Sequence, residues 1–406
     1  MIVQIAWRNI WRYPRRTAVI MLAVLIGVWS MIFLGAVMRG MSINIFENGI
    51  SILTGNIQIL PKGYREDPSI ENRIHDLQSI TSVLSDVLPK STKWTSRVRV
   101  NAIASNARHS SSVTLVGIDP LVEPNISFIQ PSVICKGQFL TSTDQRGILV
   151  GKAFLEKYQT RLGNKIIIMT QNTENGIESK AFRIIGVYQS ELSMTEKQFV
   201  FITHQAIQSM LNISNEWSEV CIRSQRGKSI DSYVPILKDR LPKNVEVYTW
   251  EDMLPVLKAM IALTDGFTFI WYFVVFIAMG LGIVNTLFMA IYERMREFGI
   301  LKALGMNVSR IICEVLLESS YILIIGVVCG NIIASLMVFG LSFHGIDLSK
   351  IAVGSEMLGL SRTIYPVLSI KDIIIANLVV LCLGILVSLF PALKAAQFTP
   401  VEAMAK

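Results

Sequence analysis

The sequence predicts an α-helical membrane protein with four transmembrane helices and a large extracytoplasmic α+β domain of two subdomains inserted between helices 1 and 2. Three observations carry this. Of 406 residues, 51% are hydrophobic and only 17% charged, below the ~25% usual for globular domains. Four long apolar runs are each sufficient to cross a bilayer. Between the first two lies a stretch, residues 39–265, with 25 basic and 22 acidic residues intermixed and no such run. A segment of about 225 residues can bury a core of its own.

In chain order, residues 1–16 carry Arg8, Arg12, Arg15 and Arg16 and no acid. Ile2, Ile5, Ala6, Asn9, Ile10 and Tyr13 fall near one helical face, with Trp7 and Trp11 beside it. This predicts a helix lying in the cytoplasmic interface, aromatics at headgroup depth. Residues 17–38 are uncharged and form the first span. A signal peptide is the rival, but the run is long for one and Arg39-Gly-Met-Ser offers no cleavage site.

Within 39–265, short alternating or apolar runs predict strands at Asn56–Leu60, Arg97–Ala104, Ser112–Ile118, Lys165–Thr170, Ala181–Val187, Phe199–Ile202, Glu219–Arg223 and Val245–Tyr248. Helical periodicity appears at Asp76–Leu88, Gly151–Leu162, His204–Leu211 and Ile230–Leu241. Residues 42–54 and 251–266 look helical and are expected to extend the adjoining spans outward, either as a stalk or as faces packed under the domain. Cys135 and Cys221 are candidates for pairing outside the cytoplasm, although spacing says nothing about geometry.

Residues 267–291 form the second span, 311–341 the third and 372–390 the fourth, with an outer loop at 342–371 and a tail at 391–406. Gly326-x-x-x-Gly330 in the third span permits close helix approach. Glu314 is placed to pair with Arg310, and the deeper Glu318 to accept hydrogen bonds from a neighbouring helix. Basic residues gather before the first span, in the 293–310 loop and in the tail, so those segments are expected in the cytoplasm. The same rule accounts for much of the +8 net charge, and no basic stripe with interleaved aromatics suggests nucleic acid.

The 293–310 loop has its own pattern. Met295, Phe298, Leu301 and Leu304 recur every third residue, while Glu293, Arg294, Arg296, Glu297 and Lys302 occupy the rest. Gly305 is a helix stop and Asn307 a cap for the next helix. By itself this fits a short helix resting on lipid headgroups as well as it fits a docking element.

Three signatures carry a resemblance. They are Ala6-Trp-Arg-Asn-Ile-Trp-Arg with Arg15-Arg-Thr, then Glu293-Arg-Met-Arg-Glu-Phe-Gly-Ile-Leu-Lys-Ala-Leu-Gly305, and Pro391-Ala-Leu-Lys-Ala-Ala with Pro400-Val-Glu-Ala. Gly147-Ile-Leu-Val-Gly-Lys and Phe182-Arg-Ile-Ile-Gly-Val add to them. Together with the order of spans they resemble the permease subunits of type VII ABC transporters. That superfamily includes the macrolide exporter, the lipoprotein-releasing permeases and the cell-division permease. Phe298 and Lys302 depart from the coupling pattern of that family.

The resemblance implies a coupling helix that docks on a cytoplasmic ABC ATPase through Glu293, Arg294, Arg296, Glu297, Phe298, Gly299, Leu301, Lys302 and Gly305. It implies a porter-like subdomain at 55–120 and 217–250, an inserted subdomain at 121–216, and a dimer with a second copy or a related permease. Two ATPase copies are expected, binding the ATP and magnesium; no cofactor, metal or catalytic residue is expected on this chain. Arg226-Gly-Lys-Ser229 ends like a phosphate loop, but Ile222 stands where such a loop needs glycine.

Leu53-Thr-Gly-Asn-Ile-Gln-Ile is similar to the glycine-containing lead into a strand in lipoprotein-releasing permeases. The expected substrate is therefore a lipoprotein of the bacterial inner membrane, handed to a periplasmic carrier. Lipid-facing candidates are Leu25, Val28, Trp29, Ile32 and Phe33 on the first span and Phe269, Phe273, Phe276 and Ile283 on the second, residues that would equally suit plain helix packing. Efflux with a periplasmic adaptor and regulation of cell-wall hydrolases are the alternatives.

Overall fold

The computed structural model describes residues 2–174, 176–190, 192–225, 230–347 and 363–397, without the side chains of Ile2, Val3, Ile5 and Arg16. The Arg226–Ser229 motif and Pro400-Val-Glu-Ala lie outside these residues. The chain forms two bodies: a helical bundle from residues 2–43, 261–347 and 363–397, and an α/β body, Asn44–Met260.

The helices are α1 (Ile2–Arg12), α2 (Pro14–Gly49), α3 (Leu77–Val87), α4 (Lys152–Tyr158), α5 (Ser193–Gln198), α6 (His204–Leu211), α7 (Val234–Arg240), α8 (Trp250–Met253), α9 (Pro255–Glu293), α10 (Met295–Ala303), α11 (Val308–His344) and α12 (Ile370–Gln397). The strands are β1 (Ile57–Pro61), β2 (Lys93–Ser105), β3 (Ser110–Ile118), β4 (Ile134–Gly137), β5 (Gly147–Gly151), β6 (Lys165–Gln171), β7 (Ile177–Tyr188), β8 (Phe199–Thr203), β9 (Glu219–Arg223), β10 (Val245–Thr249), β11 (Ile346–Asp347) and β12 (Thr363–Ile364).

Among the described residues four helices, in α2, α9, α11 and α12, are long and apolar enough to cross a membrane. Helix α2 runs unbroken to Gly49 and α9 starts at Pro255, so much of 42–54 and 251–266 is continuous with the adjoining spans. Polar residues flanking the apolar runs continue the helix because nothing in them breaks it. Pro391, read as the start of the tail, lies inside α12.

The bundle core joins Val24, Val28, Met31 and Ile32 of α2 to Ile283, Ile322, Leu323 and Val380. The glycine pair sets its closest approach. A Cβ at Gly326 would lie 2.8 Å from Val24 Cβ, and one at Gly330 only 2.9 Å from Val28 Cβ. The pattern therefore serves packing inside one chain. Asn331 and Asn377 exchange amide hydrogen bonds of 3.0 and 3.3 Å between α11 and α12. Arg39 holds Asp372 through two hydrogen bonds of 2.6 and 2.8 Å.

In the α/β body, β2 is the hinge of the architecture. Its first five residues pair with β9, extending an antiparallel order β10-β1-β9-β2 covered by α3 and α7. The rest of β2 pairs with β3 on one side and β6 on the other, and the pairings β3-β8-β5-β7-β6 close a six-stranded ring. The subdomain boundary expected at 120/121 thus falls inside β2. One long strand serves both cores, which a reading that ends subdomains at loops misses. The helix expected over 151–162 stops at Tyr158, where Gln159 turns left-handed, and β5 and α5 were not foreseen. Cys135 and Cys221 are both free, the first exposed and the second buried.

Arg97 is fully buried among fully buried acids. It donates to Glu123 at 3.0 and 2.7 Å, to Glu219 at 3.2 Å, and to the carbonyl of Leu53. Gln58 donates to Glu219 at 2.7 Å and Arg99 pairs with it at 2.8 Å. Leu53 has a φ of 93°, a left-handed conformation costly for leucine. The Arg97 bond holds that kink at the point where the helical segment 44–54 ends.

His204 packs edge-on against Trp217, ring centroids 4.5 Å apart, and burial pushes its pKa down to about 4. An unfolded histidine titrates near ~6.5. The unfolded chain therefore takes up this proton first, and stability is lost as pH falls from about 6.5 towards 4, by on the order of 3 kcal/mol. Thermal unfolding of the full chain at about pH 7 and about pH 4.5 should show this loss, and His204→Gln should make it smaller.

Candidate coupling site

Helix α9 ends at Glu293 and α10 starts at Met295, with Arg294 at φ −99°, ψ 8° between them. The amide of Arg294 still reaches the Ala290 carbonyl at 3.3 Å, and that of Phe298 reaches Arg294 at 3.1 Å. The two helices are thus joined by a single non-helical residue, whose side chain turns inward.

Arg294 is 6% exposed. Its guanidinium donates to Glu318 and Glu314 of α11, both at 2.8 Å, and to Glu297 at 3.1 Å. The charged centre also lies 5.0 Å from the Phe298 ring. Burial by itself would weaken this charge, but Glu318, Glu314 and Glu297 outweigh it and raise the pKa of Arg294. Asn9 of α1 donates to the same Glu314 oxygen at 3.0 Å, and Arg12 pairs with Glu297 at 3.1 Å. The side chain of Thr17 ties the α1–α2 corner by donating to the Ile10 carbonyl at 2.8 Å.

The apolar face of α10 is covered as well. Phe298 is 1% exposed and clusters with Ile291, Ile311, Val315, Ala392 and Ala395, with Leu301 and Met306 alongside. Lys302 donates to the carbonyl of Ala396 near the end of α12. Gly305, at φ 85°, closes α10 in a Schellman motif: its amide bonds Lys302, and that of Met306 bonds Leu301. The Asn307 side chain then caps α11 by accepting from Ser309 at 3.2 Å.

The expected docking residues therefore divide. Arg294, expected at an interface rim, is an internal ion-pair centre. Phe298, expected as an anchor for a partner, is buried in its own chain, as is Gly299. Lys302 and Glu297 hold neighbours in this chain, and Leu301 is half-buried. Glu293, Arg296 and Gly305 are exposed. Leu304, assigned to the same stripe as Phe298, is 80% exposed, and Ile300 beside it 45%. The three-residue spacing drifts around a helix of 3.6 residues per turn, so the last member of the stripe leaves the core face. The partner expected for Glu314 is also corrected, since it bonds Arg294 and not Arg310. Asn9, Arg12, Ala392, Ala395 and Ala396 belong to the site and were missed. Only their positions in the chain signatures hinted at it.

The lipid-facing candidates divide similarly. Val28, Ile32 and Ile283 are buried in the bundle, Val28 directly against Gly330 of α11. Leu25, Trp29, Phe33 and Phe276 are partly buried, Trp29 stacking on Phe33 at 5.9 Å. Phe269 and Phe273 are 73% and 58% exposed. Val19, Leu22 and Ile26 form the exposed face of α2 that the expectation missed.

Residues 17–239 match the MacB-like periplasmic core domain and residues 269–400 the FtsX-like permease C-terminal domain. The chain is 22% identical to a macrolide export ATP-binding/permease protein of Campylobacter jejuni, over 99% of this chain and 61% of that protein. It is 23% identical to a pyoverdine export ATP-binding/permease protein of Pseudomonas syringae, over 99% of this chain and 59% of that one. The chain thus spans about three-fifths of the length of these curated relatives. The crystal structure of the periplasmic region of MacB from Actinobacillus actinomycetemcomitans aligns with 53% of the chain at a TM-score of 0.36 and 13% identity.

Removing one partner of a buried ion cluster leaves the others uncompensated, at a cost of about 3–5 kcal/mol. Arg294→Ala should lower the thermal unfolding temperature of the purified chain sharply. Arg294→Lys should restore little, because one ammonium cannot hold three carboxylates with the geometry of a fork. Full recovery by lysine would show that only net charge matters here.

Proposed function

Since the chain belongs to the type VII ABC permeases, with a MacB-like core domain and an FtsX-like permease domain, we propose that it converts the closure of a cytoplasmic ATPase into movement of its spans. In this reading ATP and magnesium are bound by the ATPase, which works as a pair of copies beneath a permease dimer. The chain is a multi-pass protein of the bacterial inner membrane, with both termini and α10 in the cytoplasm and the α/β body outside.

One observation carries the coupling role. The outer face of α10 offers Arg296, Ile300 and Leu304, while its inner face is tied by Arg294 and Phe298 to α11 and α12. An apolar side chain beside a cation is the kind of small anchor that docks into a pocket. A push on that anchor meets a buried, charge-assisted joint, so it moves α9 and α11 together rather than bending α10. Glu293, Arg296 and Gly305 complete the docking surface; Arg294, Glu297, Phe298, Gly299, Leu301 and Lys302 hold it in place.

The substrate is read as the acyl anchor of a lipoprotein, drawn from the outer leaflet past the exposed Phe269 and Phe273 and passed to a carrier. The apolar character of that face supports it. A second reading is export of a small amphipathic molecule with a periplasmic adaptor, and the macrolide and pyoverdine exporters among the relatives favour it.

Replacing both Arg296 and Leu304 by alanine should abolish stimulation of the partner ATPase and transport, while the unfolding temperature stays within a few degrees of the original. Undiminished stimulation in that variant would remove the docking assignment. Photocrosslinkers at Phe269 and Phe273 decide between substrates: lipoprotein release requires capture of acylated protein in cells, and capture of small amphiphiles alone would establish export.

A further inference from the structure

Helix α1 has one committed face and one open one. Ala6 and Ile10 are buried, Asn9 bonds Glu314, and Trp7 packs edge-on against Tyr321 with centroids 5.6 Å apart. The opposite face presents Arg8, Trp11 and Arg12, and Arg15 follows in the first turn of α2, all exposed, with Trp7 itself 44% and Trp11 65% exposed. The two indoles form an edge-to-face pair at 6.1 Å. No acid occurs in the sequence before Glu47. Indole pairs among arginines, with no counter-charge on the same helix, match the boundary where acyl chains meet phosphates.

Arg12 makes this face more than an anchor. It is shared, lying 3.1 Å from Glu297 of α10 with its side chain 58% exposed and that of Glu297 38% exposed. An exposed pair of this kind contributes little to stability and exchanges readily for another anion. The neighbouring Arg294–Glu297 contact is different, because Arg294 remains anchored by Glu314 and Glu318 whatever Arg12 does.

The geometry points to anionic phospholipid headgroups as ligands of Arg8, Arg12 and Arg15 around the α1–α2 corner, with Arg12 passing between a lipid phosphate and Glu297. Anionic lipid then releases α10 from α1, leaving α10 held to α11 and α12. A zwitterionic bilayer, with no net charge to offer, leaves the Arg12–Glu297 pair closed. The coupling helix would thereby respond to the charge of the leaflet in which the permease sits. This rests on the cytoplasmic membrane placement proposed for α1, and not on the ATPase.

The test uses the purified full chain. Native mass spectrometry in the presence of phosphatidylglycerol and phosphatidylcholine of identical acyl chains should show preferential retention of the anionic lipid, by roughly fivefold for each arginine engaged. Arg8→Gln with Arg15→Gln should remove most of that preference, and the corresponding lysine pair should keep it. Equal retention of phosphatidylglycerol by the glutamine variant overturns the binding site. For the switch, amide exchange over 293–305 should be faster in phosphatidylglycerol nanodiscs than in phosphatidylcholine ones. In Arg12→Gln it should be fast in both. An unchanged exchange rate between the two lipids in the unmodified chain overturns the switch. Neither readout involves ATP, so both stand or fall separately from the coupling assignment.

Discussion

A guanidinium held between two buried carboxylates organises one end of the bundle. Arg294 sits at the bend between α9 and α10, and Glu314 and Glu318 lie one turn apart on α11 to receive it. Charges this poorly exposed persist only if paired and hydrogen-bonded. That requirement dictates the bend, because the side chain reaches both carboxylates only if the helix breaks at its own residue. It also draws in α1, whose Asn9 donates to the same Glu314 oxygen that Arg294 holds.

The same chemistry recurs in the α/β body. Arg97 lies between Glu123 and Glu219 and binds the carbonyl of the strained Leu53. In both bodies a buried arginine and two glutamates fix the place where a long helical segment ends. Apolar packing alone would tolerate sliding at such points, since a methyl group fits many neighbours. A forked donor with two acceptors has one arrangement that leaves no group unsatisfied. For a protein read as a mechanical transmitter, joints of this kind set where motion is passed on.

Much of this was legible before any coordinates. The four spans follow from long apolar runs, and the stop at Gly305 and cap at Asn307 follow from residue types with few alternative uses. The glycine pair of α11 announced a close approach but not its partner. The α10 stripe was right at Met295 and Phe298 and wrong at Leu304. Its charged residues were all read as outward, although burying one charge is acceptable once its counter-charges lie on another helix. Nothing local to Arg294 reveals Glu314 and Glu318, which are twenty and twenty-four residues away.

What the sequence determined alone was therefore whatever is decided over a few consecutive residues. That covers the number of spans, the caps and stops, the amphipathic character of α1, and a soluble-like domain between the first two spans. Tertiary structure decided the rest: that α2 fills the glycine groove of α11, that β2 belongs to two cores, that Pro391 continues a helix, and that Arg294 faces inward. The physical reason is range. Helix propensity and hydropathy act on neighbours in the chain, whereas the compensation of a buried charge depends on which distant groups the fold brings to it.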